Sequence, residues 1–95
     1  MNPEMIKRLK RMQDEMEKKQ KEIEAKEFVV EKQGIKVIML GNFLVKQIIV
    51  DEALVDPEDK DILEDLIVIA INEGIDLIKE EQAKAMPQMP SGFGF

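Results

Sequence analysis

Residues 48–66 read IIVDEALVDPEDKDILEDL, a strand-like run that leads into the start of a helix. Asp56 is a favourable N-cap residue, and Pro57 suits the first helical position because its missing N–H is not needed there. The first turn then carries three acidic residues at the positive end of the helix dipole, Glu58, Asp59 and Asp61. The sequence therefore predicts a strand that ends near residue 50 and a helix that begins at Pro57.

The segment that follows is too apolar for a helix with a single buried face. In a helix over residues 57–85, apolar side chains cover most of the circumference between Ile62 and Ile78. The polar side carries Asn72, Glu73 and Asp76. A helix that is apolar nearly all round is buried nearly all round, so we expect a second copy of the chain to cover part of it.

Three strand-like runs precede this helix, at residues 28–31, 35–40 and 44–50. The first turn between them is Lys32-Gln33-Gly34. The second is Gly41-Asn42, in which Gly41 is expected to supply a positive φ. The second and third strands carry apolar side chains on both faces, whereas a three-stranded antiparallel sheet in a monomer normally exposes one face to water. We therefore expect another subunit to cover the second face.

These elements predict an α+β fold: a long N-terminal helix, a three-stranded antiparallel sheet and a long C-terminal helix in an intertwined homodimer. The candidate dimer contacts are Ile38, Leu40, Ile48, Val50, Leu66, Ile67, Ala70 and Ile71. A fully buried Ile or Leu side chain contributes about 1.5–3 kcal/mol, so the C-terminal helix is expected to dominate the interface energy.

The predicted N-terminal helix, residues 4–27, carries an apolar stripe at nearly heptad spacing. The stripe consists of Met5, Leu9, Met12, Met16 and Ile23. Such a stripe normally packs on a partner helix or on the chain's own sheet, and the sequence leaves both possibilities open.

Basic residues occupy the side of this helix opposite the stripe, at Lys7, Arg11, Lys18 and Lys21. They could face phosphates, or they could form a solvated face held by i,i+4 ion pairs. The possible pairs are Asp14–Lys18, Glu15–Lys19, Glu17–Lys21 and Glu22–Lys26, and spacing alone favours this second interpretation. The beginning of the helix carries a local excess of positive charge. It contains Lys7, Arg8, Lys10 and Arg11, and a single acidic residue, Glu4, precedes them.

Composition narrows the class of protein. The 95 residues are 44% hydrophobic and 36% charged, which suits one small domain, and no apolar run approaches the about 18 residues of a membrane helix. The net charge of −6 is uneven: residues 1–50 carry eleven Lys/Arg against eight Asp/Glu, and residues 51–95 carry three against twelve. The N-terminus lacks the apolar core of an export signal, so we expect a cytoplasmic protein.

Missing residue types argue against catalysis. The chain contains no His, Cys, Thr, Tyr or Trp, and its one serine is Ser91. These are the groups that most often serve as general bases and nucleophiles, so we expect no enzyme and no cofactor. Asp56, Glu58, Asp59 and Asp61 could form a carboxylate metal site, but the electrostatics of a helix start already accounts for them.

Several segments, in this order and spacing, resemble the YbaB/EbfC family of bacterial nucleoid-associated proteins. The N-terminal helix contributes Met12-Gln13, and the second strand contributes Ile35-Lys36-Val37 ahead of Gly41. The strongest matches are Ile49-Val50-Asp51 with Leu54, Leu63-Glu64-Asp65-Leu66, Ala70 and Asn72. The resemblance covers about residues 5–86. We expect a single domain over residues 1–86, followed by a flexible tail over residues 87–95 that is rich in Met, Pro, Gly and Phe.

The resemblance implies a homodimer shaped like open tweezers, in which N-terminal helices project from a centre of sheets and C-terminal helices. It further implies a nucleoid protein that binds duplex DNA with little sequence preference, alters DNA conformation, influences gene expression, and has no enzymatic activity. The candidate DNA contacts are then Lys7, Arg8, Lys10, Arg11, Lys18, Lys21 and Lys46.

Two departures from the family pattern bear on this expectation. The tip between the first two strands is shortened to Lys32-Gln33-Gly34, and the chain has only two arginines, Arg8 and Arg11. Because lysine holds phosphate as a point charge without the bidentate fork of arginine, we expect weak and salt-sensitive binding. The alternative is a dimeric scaffold for an unknown replication or recombination protein, without DNA affinity of its own.

Overall fold

A computed structural model describes residues 2–85 of the chain. Its elements are α1 (Pro3–Ala25), β1 (Glu27–Lys32), β2 (Ile35–Leu40), β3 (Val45–Val50) and α2 (Lys60–Ala85). Two short 3-10 turns, at Glu52–Leu54 and Pro57–Asp59, separate β3 from α2. The predicted α+β element order is confirmed, whereas the predicted tail at residues 87–95 lies outside the described residues.

The start of α2 differs from the sequence prediction. Asp56 does act as a cap, since its carboxylate accepts a hydrogen bond from the Glu58 N–H at 2.9 Å, but the turn that it caps is a 3-10 turn. Asp51 caps the preceding 3-10 turn in the same way, through the Ala53 N–H at 3.0 Å. The regular helix therefore begins at Lys60, three residues later than predicted.

The sheet is antiparallel in the order β1-β2-β3. Its first turn uses positive φ angles at Gln33 (45°) and Gly34 (94°). In the second turn the residue with positive φ is Phe43 (70°), so the prediction that Gly41 supplies it is wrong. The pairing of β2 with β3 shifts between Ile38 and Met39, which is the signature of a β-bulge.

One face of the sheet packs on α2 and forms the hydrophobic core. The sheet contributes Phe28, Val30, Ile35, Val37 and Met39, and the helix contributes Leu66, Ala70 and Ile78. Gly74 lies on the same side of the helix, where a Cβ atom would come within 2.5 Å of the Met39 Sδ. The contacts of α2 with the sheet are mainly with β1 and β2.

The end of α1 is fixed to the sheet by a backbone approach at Gly41. The Gly41 N–H donates a hydrogen bond to the Lys26 carbonyl oxygen at 3.0 Å. A Cβ atom at residue 41 would lie 1.7 Å from the carbonyl oxygen of Ile23, so no other residue type fits this position without a backbone shift. This contact, rather than the turn, explains the glycine.

The helix α1 extends away from the core. It contains no buried residue, and only its C-terminal part contacts α2. The described chain accordingly measures 69 × 28 × 14 Å along its principal axes. Because a 23-residue helix is about 35 Å long, the N-terminal half of α1 is a projection whose side chains meet solvent on every side.

Candidate nucleic-acid interface

The projecting helix begins with a well-formed cap. The Asn2 side-chain oxygen accepts hydrogen bonds from the N–H groups of Glu4 at 2.7 Å and Met5 at 3.4 Å, and Pro3 occupies the first helical position. Asparagine in this role satisfies donors that the helix cannot, so the first turn is held in regular geometry. The basic residues that follow are therefore displayed on an ordered helix.

The candidate DNA contacts on α1 are all exposed: Lys7, Arg8, Lys10, Arg11, Lys18 and Lys21. Between residues 2 and 85 the lysines that form ion pairs are different ones, Lys26, Lys32, Lys36, Lys46 and Lys60. The structure thus places six basic side chains on one exposed helix, with no carboxylate of the described chain in ion-pair contact with any of them.

The i,i+4 ion pairs that spacing favoured on this helix are not formed in the structure. Lys26 instead pairs with Glu81 of α2, at 3.0 Å, and helps to hold the end of α1. An exposed i,i+4 pair contributes only about 0.3–0.5 kcal/mol, which is comparable with the side-chain entropy lost in forming it. The basic face is consequently available to an external anion.

Charge is distributed unequally along the molecule. Residues 3–13, in the projecting half of α1, contain four Lys/Arg residues and one Asp/Glu, whereas α2 contains three Lys/Arg residues and seven Asp/Glu. A polyanion is therefore attracted to the N-terminal half of α1 and repelled from α2.

Lys46 lies in a different place from the other candidate contacts. It is the unpaired residue of the bulge on β3, and its ammonium group pairs with the Glu27 carboxylate of β1 on the sheet face opposite α2. The neighbouring pair on this face joins Lys36 to Glu31 at 3.8 Å. The two carboxylates offset the positive charge of Lys46 and Lys36 on this face. Lys46 therefore differs from the candidate contacts on α1, which have no carboxylate partner among residues 2–85.

The structure divides the candidate dimer contacts into three groups. Leu66 and Ala70 are buried in the chain's own core, beneath β1 and β2. Ile38 and Leu40 lie half-buried on the sheet face that points away from α2. Ile48 and Val50 of β3 and Ile67 and Ile71 of α2 remain partly or largely exposed beside the core.

This last group, which the sequence offered as dimer contacts, belongs to an apolar surface whose position beside α2 the sequence did not predict. Because α2 covers mainly β1 and β2, the side of β3 that faces the helix layer is left open, and Val45 and Ile48 are 42% and 38% exposed. Glu73 of α2 contacts Lys32 of β1 at 3.0 Å, so the opposite side of the helix, with Ile71, faces β3. Which strands a helix covers depends on its tertiary placement, which hydrophobic periodicity does not encode.

Other kinds of site are not evident in the described part of the chain. Across residues 2–85, no group of three or more carboxylates is arranged to hold a metal ion. Within the same range, neither helix combines the length and the apolar composition needed to cross a membrane.

Comparison with known proteins agrees with a nucleic-acid interface. The sequence profile described as the YbaB/EbfC DNA-binding family matches residues 1–93. A nucleoid-associated protein of Metamycoplasma arthritidis is 58% identical over 78 residues, covering 82% of each chain. One from Mycoplasmopsis pulmonis is 51% identical over 89 residues, covering 94% of this chain and 89% of the relative. A nucleoid-associated protein of Enterococcus faecalis is 34% identical over 90 residues, covering 93% of this chain and 86% of the relative. On these matches, which extend over nearly the whole chain, the protein belongs to the YbaB/EbfC DNA-binding family.

Proposed function

We propose that this protein is a homodimeric nucleoid-associated protein that binds duplex DNA through α1, with little sequence preference. The observation that carries the proposal is the exposed basic face of a helix that projects from the core. In this role the protein would act on DNA in the cytoplasm, alter its conformation, and thereby influence nucleoid organisation and gene expression.

The chemistry of α1 favours contacts with phosphates over contacts with bases. Lys7, Arg11 and Lys18 lie along one side of the helix, about 6 Å and 10 Å apart in rise, and lysine binds an anion without directional constraint. Phosphate contacts carry no sequence information, which supports low sequence preference. The described part of α1 has no aromatic residue to stack on unpaired bases, so duplex is the favoured ligand.

The dimer is proposed to form through the apolar surface of β3 and α2. Val45, Ile48 and Val50 of β3 continue the hydrophobic core beyond the edge of the area that α2 covers. Covering this surface with the same surface of a second chain would remove apolar area from water, at about 25 cal/mol per Å². Two projecting helices would then belong to one particle, and their joint contact with one duplex gives a physical route to altered DNA conformation.

The test is a fluorescence anisotropy titration of a labelled duplex over a series of salt concentrations. The logarithm of the binding constant should fall linearly with the logarithm of salt concentration. Lys7→Ala/Arg11→Ala removes two positive charges per chain, and four per dimer. If all four contact phosphates, the magnitude of the slope should fall by about 3–4, equally on unrelated duplex sequences.

A matched control has the same change in net charge at the other end of the molecule. Lys79→Ala/Lys84→Ala removes two exposed lysines from α2 and should leave the slope unchanged. Absence of duplex binding by the unmodified protein at 50 mM salt would contradict the proposal. Recovery of a defined protein partner after nuclease treatment, together with no DNA affinity, would favour the scaffold alternative instead.

A further inference from the structure

The apolar stripe of α1 is exposed along most of its length. Met5, Leu9, Met12 and Met16 are 55%, 52%, 49% and 37% exposed. Of the stripe residues, Ile23 alone packs on the hydrophobic core. Contiguous exposed apolar side chains mark an interaction site more often than a solvated surface, so the four outer residues need a partner.

The spacing of these four residues favours another helix as the partner. Their intervals of four, three and four residues place Met5 and Met12 at the d positions of a heptad, and Leu9 and Met16 at the a positions. Side chains at a and d pack between those of a facing helix. We call residues 5–16 with this a/d pattern the α1 seam.

The chain's own second helix meets only the lower end of the seam. Near its C-terminus, Gln82 and Ala85 line a cleft with Met16, Gln20 and Ile23 of α1. Residues 2–22 of α1 are exposed throughout, so no element within residues 2–85 covers the rest of the seam. A helix that covers it has to come from another molecule.

Charge beside the seam selects a second copy of α1 in antiparallel orientation. Arg8 and Glu15 lie on the same flank, at the g positions of successive heptads, and neither forms an ion pair within residues 2–85. A two-fold axis across an antiparallel pair brings the same flank of both helices together, so each Arg8 faces Glu15 of the other copy. A parallel pair would place Arg8 beside Gln13 and bring the two Lys19 ammonium groups together.

The same alignment matches every residue of the seam. Met5 faces Met16 of the second copy and Leu9 faces Met12, which gives four apolar layers over about 17 Å of helical rise. A shift by one heptad in one direction would set Leu9 against Lys19 and would bring the two Glu15 carboxylates together. A shift in the other direction would leave only two apolar layers. One antiparallel register therefore satisfies both packing and charge.

We propose that the α1 seam pairs with the α1 seam of a second copy of the chain, antiparallel and in this register. Lys7, Lys10 and Arg11 occupy heptad positions on the side away from the seam, so the pair leaves them accessible, whereas Arg8 is engaged by Glu15. The contact lies on the projection and shares no residue with the apolar surface of β3 and α2. The inference depends neither on that surface nor on DNA binding.

Disulfide trapping tests the pairing, because the chain contains no natural cysteine. Full-length Met5→Cys and Met16→Cys are refolded together from urea in equal amounts and oxidised mildly. The two cysteines lie in the tryptic peptides 1–7 and 12–18, so mass spectrometry distinguishes the mixed disulfide from the two symmetric ones. Random encounters produce as much mixed disulfide as both symmetric disulfides together.

Antiparallel pairing predicts a strong excess of the mixed disulfide. It places the two different cysteines in one layer and holds identical cysteines about 17 Å apart in helical rise, beyond the reach of a disulfide. We expect the mixed disulfide to exceed the symmetric ones at least tenfold. Equal amounts would overturn the inference, and so would an excess of symmetric disulfides, because that excess would mean a parallel pair.

The matched control is the mixture of Lys7→Cys and Asp14→Cys. These positions also lie at one height in the proposed pair, but on the outer sides of the two helices. The control should give mixed and symmetric disulfides in the random proportion. The same excess in the control would overturn the inference, because the trapped contact would then not involve the seam.

A charge exchange tests the flank of the seam. Arg8→Glu or Glu15→Arg, introduced into both cysteine variants, places like charges on facing flanks and should slow mixed-disulfide formation at least threefold. Arg8→Glu/Glu15→Arg restores opposite charges and should return the rate to within about twofold of the original. A combined variant as slow as the single ones would contradict the register. All rates are measured without DNA, so a failure of duplex binding leaves them unaffected.

Discussion

Replacement of Gly41 by alanine should weaken the attachment of α1 to the sheet more than any surface substitution. The new methyl group would lie 1.7 Å from the Ile23 carbonyl oxygen, 2.5 Å from the Ile23 carbonyl carbon and 3.1 Å from the Glu24 nitrogen. All three atoms belong to the backbone, so no change of side-chain rotamer can relieve the contact. The φ of Gly41 is not positive, which excludes backbone strain as the cause of the effect.

The cost follows from the displacement that the methyl group requires. Carbon contacts in proteins lie at about 3.5–4 Å, so the end of α1 must move by about 2 Å. Overpacking of this kind costs about 1–3 kcal/mol. The movement also breaks the Gly41–Lys26 backbone hydrogen bond, whose net contribution is about 0.5–1.5 kcal/mol. We expect the free energy of unfolding to fall by about 2–4 kcal/mol.

Urea denaturation followed by circular dichroism measures this change. With a slope of about 1–3 kcal/mol per molar urea, the midpoint should fall by about 0.7–4 M. The comparison must be made at one protein concentration, because the proposed self-association would contribute to apparent stability. Gly74→Ala is the control, since its methyl group would meet only side-chain atoms, nearest the Met39 Sδ at 2.5 Å.

Gly74→Ala should change the free energy of unfolding by less than about 1 kcal/mol. The gain in helix propensity, about 1 kcal/mol, opposes the cost of moving the flexible Met39 side chain. If the free energy of unfolding of Gly41→Ala instead lies within about 0.5 kcal/mol of that of the unmodified protein, the backbone contact does not hold α1. The reasoning about the attachment of α1 is then refuted.

Three further substitutions examine the interface and the connections of α2. Ile48→Lys should weaken self-association at least tenfold in sedimentation equilibrium, whereas Val29→Lys, on the opposite face of the sheet, should leave it unchanged; equal effects would contradict the proposed interface. Asp56→Ala should lower the free energy of unfolding by about 0.5–2 kcal/mol in urea denaturation, because the Glu58 N–H loses its acceptor. Glu81→Gln should cost less than about 1 kcal/mol, since its ion pair with Lys26 is solvent-accessible, and the difference should vanish at 1 M NaCl.

The order of elements was predictable because each boundary has a local chemical signal. Asp56 and Pro57 mark the approach to α2, and the Lys32-Gln33-Gly34 turn marks the first hairpin. These signals depend on backbone groups within a few residues of each other. The boundary error of three residues at the start of α2 arose because the same cap and proline also suit a 3-10 turn.

The parts that could not be predicted depend on contacts between distant residues. The reason for Gly41 lies in its approach to Ile23, eighteen positions earlier, which no turn pattern encodes. Lys26 was assigned to Glu22 by spacing, yet it pairs with Glu81 because the fold brings α2 beside the end of α1. The basic residues of α1 were proposed as candidates from the sequence, whereas only the structure shows that no carboxylate within residues 2–85 forms an ion pair with them.

The architecture separates the residues that we propose to bind DNA from the residues that position α1. No residue of α1 is buried, so removal of Lys7 or Arg11 leaves the core intact and should affect DNA affinity without affecting stability. The direction of α1 is instead fixed at its C-terminal end, by the Gly41 backbone contact and the Lys26–Glu81 ion pair. Gly41→Ala, which acts on the stronger of these two contacts, would therefore redirect a helix that carries Lys7 and Arg11 about 18–24 Å in helical rise from Ile23. Loss of DNA binding by this variant, whose basic residues are unchanged, would show that the orientation of α1 matters as much as its charge.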